Sequence, residues 1–247
     1  MTSRISRRYF LGLTLPACFG ACSPKQSPQA PPVIERFRHF EIGGNFSKLQ
    51  LHWKRKDGSL LGTLAALHDH LLATGQNPLC LMNAGIFNPT REPLGWHVEG
   101  GRELRPLNRD SGEGNFFLMP NGVFSISRDP FSASIRPTPE SQEINPTLAT
   151  QSGPLLLHRG TIHPAFKAES PNKNIRNGVG IREDGSMVLA ISVAPVCFHD
   201  FATYFKETQH CTDALYLDGT ISQCWLKSEG KPPPSDQQFA GMFAVVA

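Results

Sequence analysis

A chain of 247 residues, 39% hydrophobic and 18% charged, with 22 Gly and 21 Pro, has the length and composition of one turn-rich globular domain; it excludes a disordered tail or a membrane bundle. Its 24 Lys and Arg exceed its 21 Asp and Glu by three, and Arg4, Arg7 and Arg8 account for that excess: residues 22–247 hold 24 − 3 = 21 basic residues against 21 acids. A near-neutral body with no long run of Lys or Arg lacks the stripe that tracks a phosphate backbone, which argues against a nucleic-acid partner.

The N-terminus reads as an address. "SRRYFLG" (6–12) is a twin-arginine pattern, and the apolar stretch behind it ends at Gly20, far short of the ~20 residues needed to span a bilayer. "FGAC", ending at Cys22, has the form of a bacterial lipoprotein cleavage site with Phe19 in place of the usual Leu, and "LPAC", ending at Cys18, competes with it. Cleavage by an ordinary signal peptidase is the alternative and leaves Cys22 a plain thiol. The expectation is a signal peptide over 1–21, a Pro-rich tether over 22–32 and a domain over 33–247, exported to the periplasm and held to the membrane only by a lipid on Cys22.

Downstream, "RHFEIG" and "KLQLHWK" alternate polar and apolar residues and read as half-buried strands. "SLLGTLAALHDHLLATG" puts Leu60, Leu64, Leu67 and Leu71 on one helical face, with Ser59 as N-cap and Gly75 as the stop. "PLCLM" is a short buried strand running into "NAGIF". Gly- and Pro-broken strands follow: "GWHVEG", "NFFLMPNGVFSI" and "SASIRP". "QSGPLLLHRG" reads as a loop opening a strand. "NGVGIREDGSMVLAISV" is a hairpin around Asp184-Gly185. "FHDFATYFKETQ" places Phe198, Phe201 and Phe205 at helical spacing, with His199 and Asp200 as first-turn capping residues; the strands "ALYL" and "FAGMFAVVA" close the chain.

Four cysteines remain in the domain: Cys80, Cys197, Cys211 and Cys224. A helix between Cys197 and Cys211, at ~1.5 Å per residue, separates them by about 20 Å and excludes their pairing. Cys211–Cys224 is the local disulfide candidate, with four buried free thiols the alternative. No spacing resembles a zinc-binding CxxC pair.

Five blocks join glycine to Asn, Ser, Arg or Asp: "MNAGIF" (82–87), "GEGNFFLMPNGVF" (112–124), "TQSGPLL" (150–156), "IRNGVGI" (175–181) and "LYLDGTIS" (215–222). Each taken alone is more often a turn than a site, and no Gly-x-Ser-x-Gly elbow surrounds Ser152. Helix, Cys80, "LMN" and Gly85 rhyme with helix, Cys211, "LYLD" and Gly219, so Asn83 and Asp218 are expected at strand ends lining one crevice.

In this order the five blocks resemble the phosphodiester glycosidase family over roughly residues 33–247, with small bacterial secreted members the closer likeness. The animal pattern continues Asp-Gly-Gly-Gly-Ser, where this chain has Asp218-Gly219-Thr220-Ile221-Ser222. The β-branched pair narrows the backbone options there and points to a different substrate choice.

The resemblance implies hydrolysis of a sugar-1-phosphodiester, on a glycan or small molecule, and no cofactor is expected. The alternatives are a non-catalytic envelope lipoprotein that binds glycan or sugar phosphate, and a metal-dependent phosphodiesterase, for which the motifs supply mainly Asp218 and Asn83 as ligands. Asp218 would be the acid facing the cationic sugar, Arg176 the phosphate fork, and Asn83 and Ser222 the orienting groups. Gly85, Ser152, Gly153, Asn177 and Gly219 would contribute donors and close backbone. Glu99 and Glu113 are candidate second carboxylates. The expected fold is α+β in a single domain: a mixed, largely antiparallel sheet core with a few helices, its Gly-rich loops forming one crevice.

Overall fold

Alternating side chains along short strands demand sheets that bury one face or both, and three sheets are what the chain builds. The computed structural model describes residues 36–141, 145–219 and 221–247. The expected signal segment, Cys22 and the tether therefore lie outside the described residues, as does Thr220. The described residues make one compact unit.

Fifteen strands are described, β1 (Phe37–Ile42), β2 (Leu49–His52), β3 (Pro78–Asn83), β4 (His97–Glu99), β5 (Arg102–Arg105), β6 (Gly122–Arg128), β7 (Phe131–Pro137), β8 (Pro146–Ser152), β9 (Leu155–His158), β10 (Thr161–Ile162), β11 (Asn177–Arg182), β12 (Met187–Ser192), β13 (Cys211–Tyr216), β14 (Cys224–Leu226) and β15 (Met242–Val246). The sheets run β1-β12-β11-β13-β9-β10, β14-β3-β15-β2 and β5-β4-β8-β6-β7. Every pairing between these strands is antiparallel. With two α-helices, α1 (Leu64–Ala73) and α2 (Phe198–Thr203), the domain is α+β and largely antiparallel.

One core lies among the three sheets and takes Leu51, Met82, Phe124, Val179, Leu215 and Phe243. A second lies between the six-stranded sheet and α2, where Phe201 and Phe205 meet Ala214 and Tyr216. β13 is thus buried on both faces, which is why its sequence reads as a continuous apolar run rather than an alternating one. Helix α1 lays Leu64, Leu67 and Leu71 against Leu81 and Ala244 of the four-stranded sheet.

Three local expectations change. The N-cap of α1 is Thr63, whose hydroxyl accepts from Ala66 N at 3.1 Å, while Ser59 belongs to a preceding turn and donates to Asp57. Gln151 and Ser152 end β8, so the loop that opens β9 in "QSGPLLLHRG" is only Gly153-Pro154. The cap of α2 is Cys197, whose sulfur accepts from Asp200 N, and the helix continues as a π-turn over 204–208. Asp200 instead pairs with Arg36 at 2.8 Å.

All four described cysteines are free thiols. Cys211 opens a strand of the six-stranded sheet and Cys224 lies in the four-stranded one, so the local candidate pair is split between sheets. Cys224 instead faces Met82 across the β14–β3 ladder and lies diagonally to Cys80, within reach of its thiol. A hydrogen bond from the Cys80 thiol holds Cys224 below the ordinary thiol range, and the same bond together with burial pushes Cys80 up.

Candidate active site

β3 ends on Asn83, β11 opens on Asn177 and Asp218 follows β13 by two residues, and these three polar residues of the five blocks meet. Asn177 is the hub. Its Nδ2 donates to the main-chain oxygen of Asn83 at 2.6 Å and to Oδ1 of Asn83 at 3.1 Å. Its Oδ1 accepts from Asp218 N at 2.9 Å and from Ser222 Oγ at 3.2 Å. Asn83 Oδ1 also accepts from Gln223 N at 2.8 Å. Ser222 Oγ donates a short hydrogen bond to Asp218 O, which also accepts from Asn177 N at 3.4 Å. The Asp218 backbone is therefore fixed on both sides, its N–H by the Asn177 side chain and its carbonyl by the Ser222 hydroxyl and Asn177 N.

Ser152 acts one layer behind. Its hydroxyl donates to Leu217 O at 2.7 Å and accepts from Ile86 N at 3.4 Å, joining the first, third and fifth blocks. Gly85 lies against Gln151 and Thr150, and Gly153 against Asn121 and Phe116, so closely that a Cβ at either would collide. Gly219 lies over the Tyr216 ring, and a Cβ there would overlap the phenolic oxygen. All five blocks converge on Asp218 and the strand leading to it.

Arg176 departs from its expected role. It is fully buried, its Nε donates to Val196 O at 2.8 Å and its Nη2 to Asn172 O at 3.0 Å. The guanidinium lies 3.7 Å from the centre of the Phe198 ring and 5.5 Å from that of Tyr216. A fork held by main-chain carbonyls and covered by aromatic rings is not presented to an incoming phosphate. Burial lowers its pKa. Burial also pushes the Tyr216 phenol up, while the Arg176 charge opposes that rise and the Asp218 charge adds to it. Tyr216 thus stands between the two charges and also meets the Asn115 side chain.

Tyr216, Asn115 and Arg38 were missed as site candidates. Tyr216 was legible in principle: on a strand it shares a face with the residue two positions on, Asp218. Arg38 carried no signal, since only the sheet order brings it from β1 to the groove that Ser222 also lines. It lines a groove of about 330 Å³ beside Ser222, with Ile175, Gln223, Trp225 and Pro232. Its Nη2 donates to Cys224 O at 3.0 Å and its Nη1 pairs with Glu229 at 2.6 Å. Glu99 bonds His97 at 2.8 Å and lines a different groove, and Glu113 is exposed. Among the described residues no three His, Cys, Asp or Glu side chains gather into a group able to hold a metal ion.

The phosphodiester glycosidase family model matches residues 77–246, and the chain belongs to that family. An uncharacterized protein of Escherichia coli (strain K12), YigE, is 34% identical over 240 residues, 97% of this chain and 92% of its own length. Among solved structures, the catalytic domain of zebrafish N-acetylglucosamine-1-phosphodiester alpha-N-acetylglucosaminidase, auto-inhibited by its pro-peptide, shares the fold. It aligns with a TM-score of 0.54 and 15% identity, over 89% of this chain and 85% of that one. A hypothetical protein from Synechocystis aligns with a TM-score of 0.52 and 12% identity, over 85% of this chain and 59% of that one.

Proposed function

We propose that this member of the phosphodiester glycosidase family is an exported hydrolase that cleaves a sugar-1-phosphodiester between the anomeric carbon and the bridging oxygen. The observation that carries the reading is Asp218: a carboxylate at the end of a doubly buried strand, its own peptide N–H and carbonyl both held by Asn177. Such immobilisation serves a group that must meet developing positive charge without reorganising. A phosphate monoester is a good leaving group, so one well-placed carboxylate can carry most of the catalytic burden. Water adds to the anomeric carbon, the carbon–oxygen bond breaks, the phosphate monoester departs with the bonding pair, and the water's proton passes to that monoester or to solvent.

Asn83, Asn177, Ser152 and Ser222 are then builders of the site, with their oxygens bonded to one another and to the main chain. Arg176 keeps Tyr216 in place and contributes positive potential from behind. Arg38, on the groove that Ser222 also lines, is the candidate cation for the phosphate, which would compete with Glu229 for its guanidinium.

The test is a screen of sugar-1-phosphodiesters with the whole chain in ¹⁸O-labelled water. Label in the released sugar supports the reading; label in the phosphate overturns it. Fractionation of cells expressing the full chain tests export, and a wholly cytoplasmic protein would refute that part.

A further inference from the structure

Away from Asp218, the turn after β2 and the edge strand β5 enclose a groove of about 530 Å³. Lys54, Arg55 and Lys56 line it from one side, Arg102 and Arg105 from the other, and Glu92 and Glu99 are the acids among its lining residues. Both acids have partners. Glu99 bonds His97 at 2.8 Å, and Glu92 lies 3.7 Å from Arg105 and accepts from Asn88 Nδ2 at 3.4 Å. In a body of balanced charge this groove holds a net excess of three cations, 5 − 2, among the residues lining it.

The cations are also held in place. Lys54 Nζ lies 4.0 Å from the centre of the Trp53 ring, and Trp53 Nε1 donates to Arg91 O at 2.9 Å. Arg55 Nη1 donates to Leu60 O at 2.7 Å, and Gly58 N donates to Arg55 O at 3.0 Å, closing the turn that presents the three basic residues. Lys56 and Arg102 are exposed. Concave surfaces lined by one sign of charge concentrate the field and the counter-ion.

We propose that this groove is a binding site for a multivalent phosphate-bearing chain, distinct from the Asp218 site and independent of the hydrolytic reading. Arginine forks and lysine ammonium groups on two facing walls suit closely spaced phosphates better than a single charge. The groove lies beside the tip of the excursion over 84–96, where Asn88 N donates to Glu92 O at 2.9 Å.

Isothermal titration of the whole chain with tripolyphosphate tests it, with inorganic phosphate as the single-charge control. Saturable one-to-one binding is expected, weakening about tenfold as salt is raised from ~0.01 M to ~0.15 M ionic strength, with inorganic phosphate far weaker. The exposed pair Lys56→Gln/Arg102→Gln should weaken binding about tenfold or more, while Lys173→Gln/Lys227→Gln, matched in charge and outside the groove, leaves it unchanged. No saturable binding, equal loss in both variants, or equal affinity for a carboxylate polyanion of the same charge would overturn the proposal. So would tighter binding of a single-stranded oligonucleotide of the same charge.

Discussion

Asn177 spans to Asn83, a residue 94 positions earlier in the chain, and one carboxamide NH₂ satisfies both its carbonyl and its side-chain oxygen. The same side chain turns its oxygen to Asp218 N and Ser222 Oγ. A single amide thus sews three strand ends from two sheets together.

Removing that amide leaves buried groups without partners, each costing about 1–3 kcal/mol. Asn177→Ala should lower stability by roughly 3 kcal/mol in urea denaturation. Asn177→Asp should be at least as damaging, because it sets an acceptor against the two oxygens of Asn83. Wild-type stability in either variant would refute the hub role.

Asp218→Asn keeps the peptide N–H and carbonyl that Asn177 holds, so its thermal midpoint should stay within a few degrees of wild type. On any substrate found by the screen, turnover should fall by about 10²- to 10⁴-fold. A folded variant with near-full turnover removes Asp218 from the chemistry.

The position of Gly219 over the Tyr216 hydroxyl makes a paired prediction. Gly219→Ala should cost on the order of 1–3 kcal/mol through overpacking. Tyr216→Phe removes the overlapping oxygen, so the double variant should recover part of that loss. Strict additivity of the two changes would show that the rings and the glycine do not interact.

Arg38 is predicted to act on substrate binding. Arg38→Gln should raise KM about tenfold with kcat changed less, the pattern of a phosphate contact made equally in ground and transition states. If kcat falls alone while KM is unchanged, the cation works elsewhere in the cycle.

Tyr204 and Cys211 contribute to the alkaline limit, beside Tyr216 and Cys80, which are also pushed up. Burial pushes Tyr204 from 10.0 to about 12 and Cys211 from 9.0 to about 12. Both are raised acids, so the unfolded chain loses its protons first, and the stability they contribute is complete below pH 9 and is lost as pH climbs toward 12. The thermal midpoint should fall across that window, and Tyr204→Phe should flatten the fall. An unchanged slope in that variant would exclude the phenol as its source.

Much of this was legible along the chain. Period-two alternation, the Asp184-Gly185 turn and the leucine stripe of α1 gave strands, a hairpin and a helix, because these depend on neighbours within a few residues. The five Gly-polar blocks marked the site region for the same reason. What lay beyond reach was which side chain answers which: Arg176 looked like a phosphate fork and is enclosed by Phe198 and Tyr216, while Arg38 carried no motif and lines the groove. Cys224 looked closest to Cys211 in sequence and lies instead diagonally to Cys80. Lys54 to Lys56 is a short basic run until β5 sets Arg102 and Arg105 opposite it. The sequence by itself determined the local elements and the chemistry available. The tertiary structure decided the partners, since sheet order and register bring together residues tens of positions apart, and burial determines which charges and hydrogen-bonding groups remain open to a ligand.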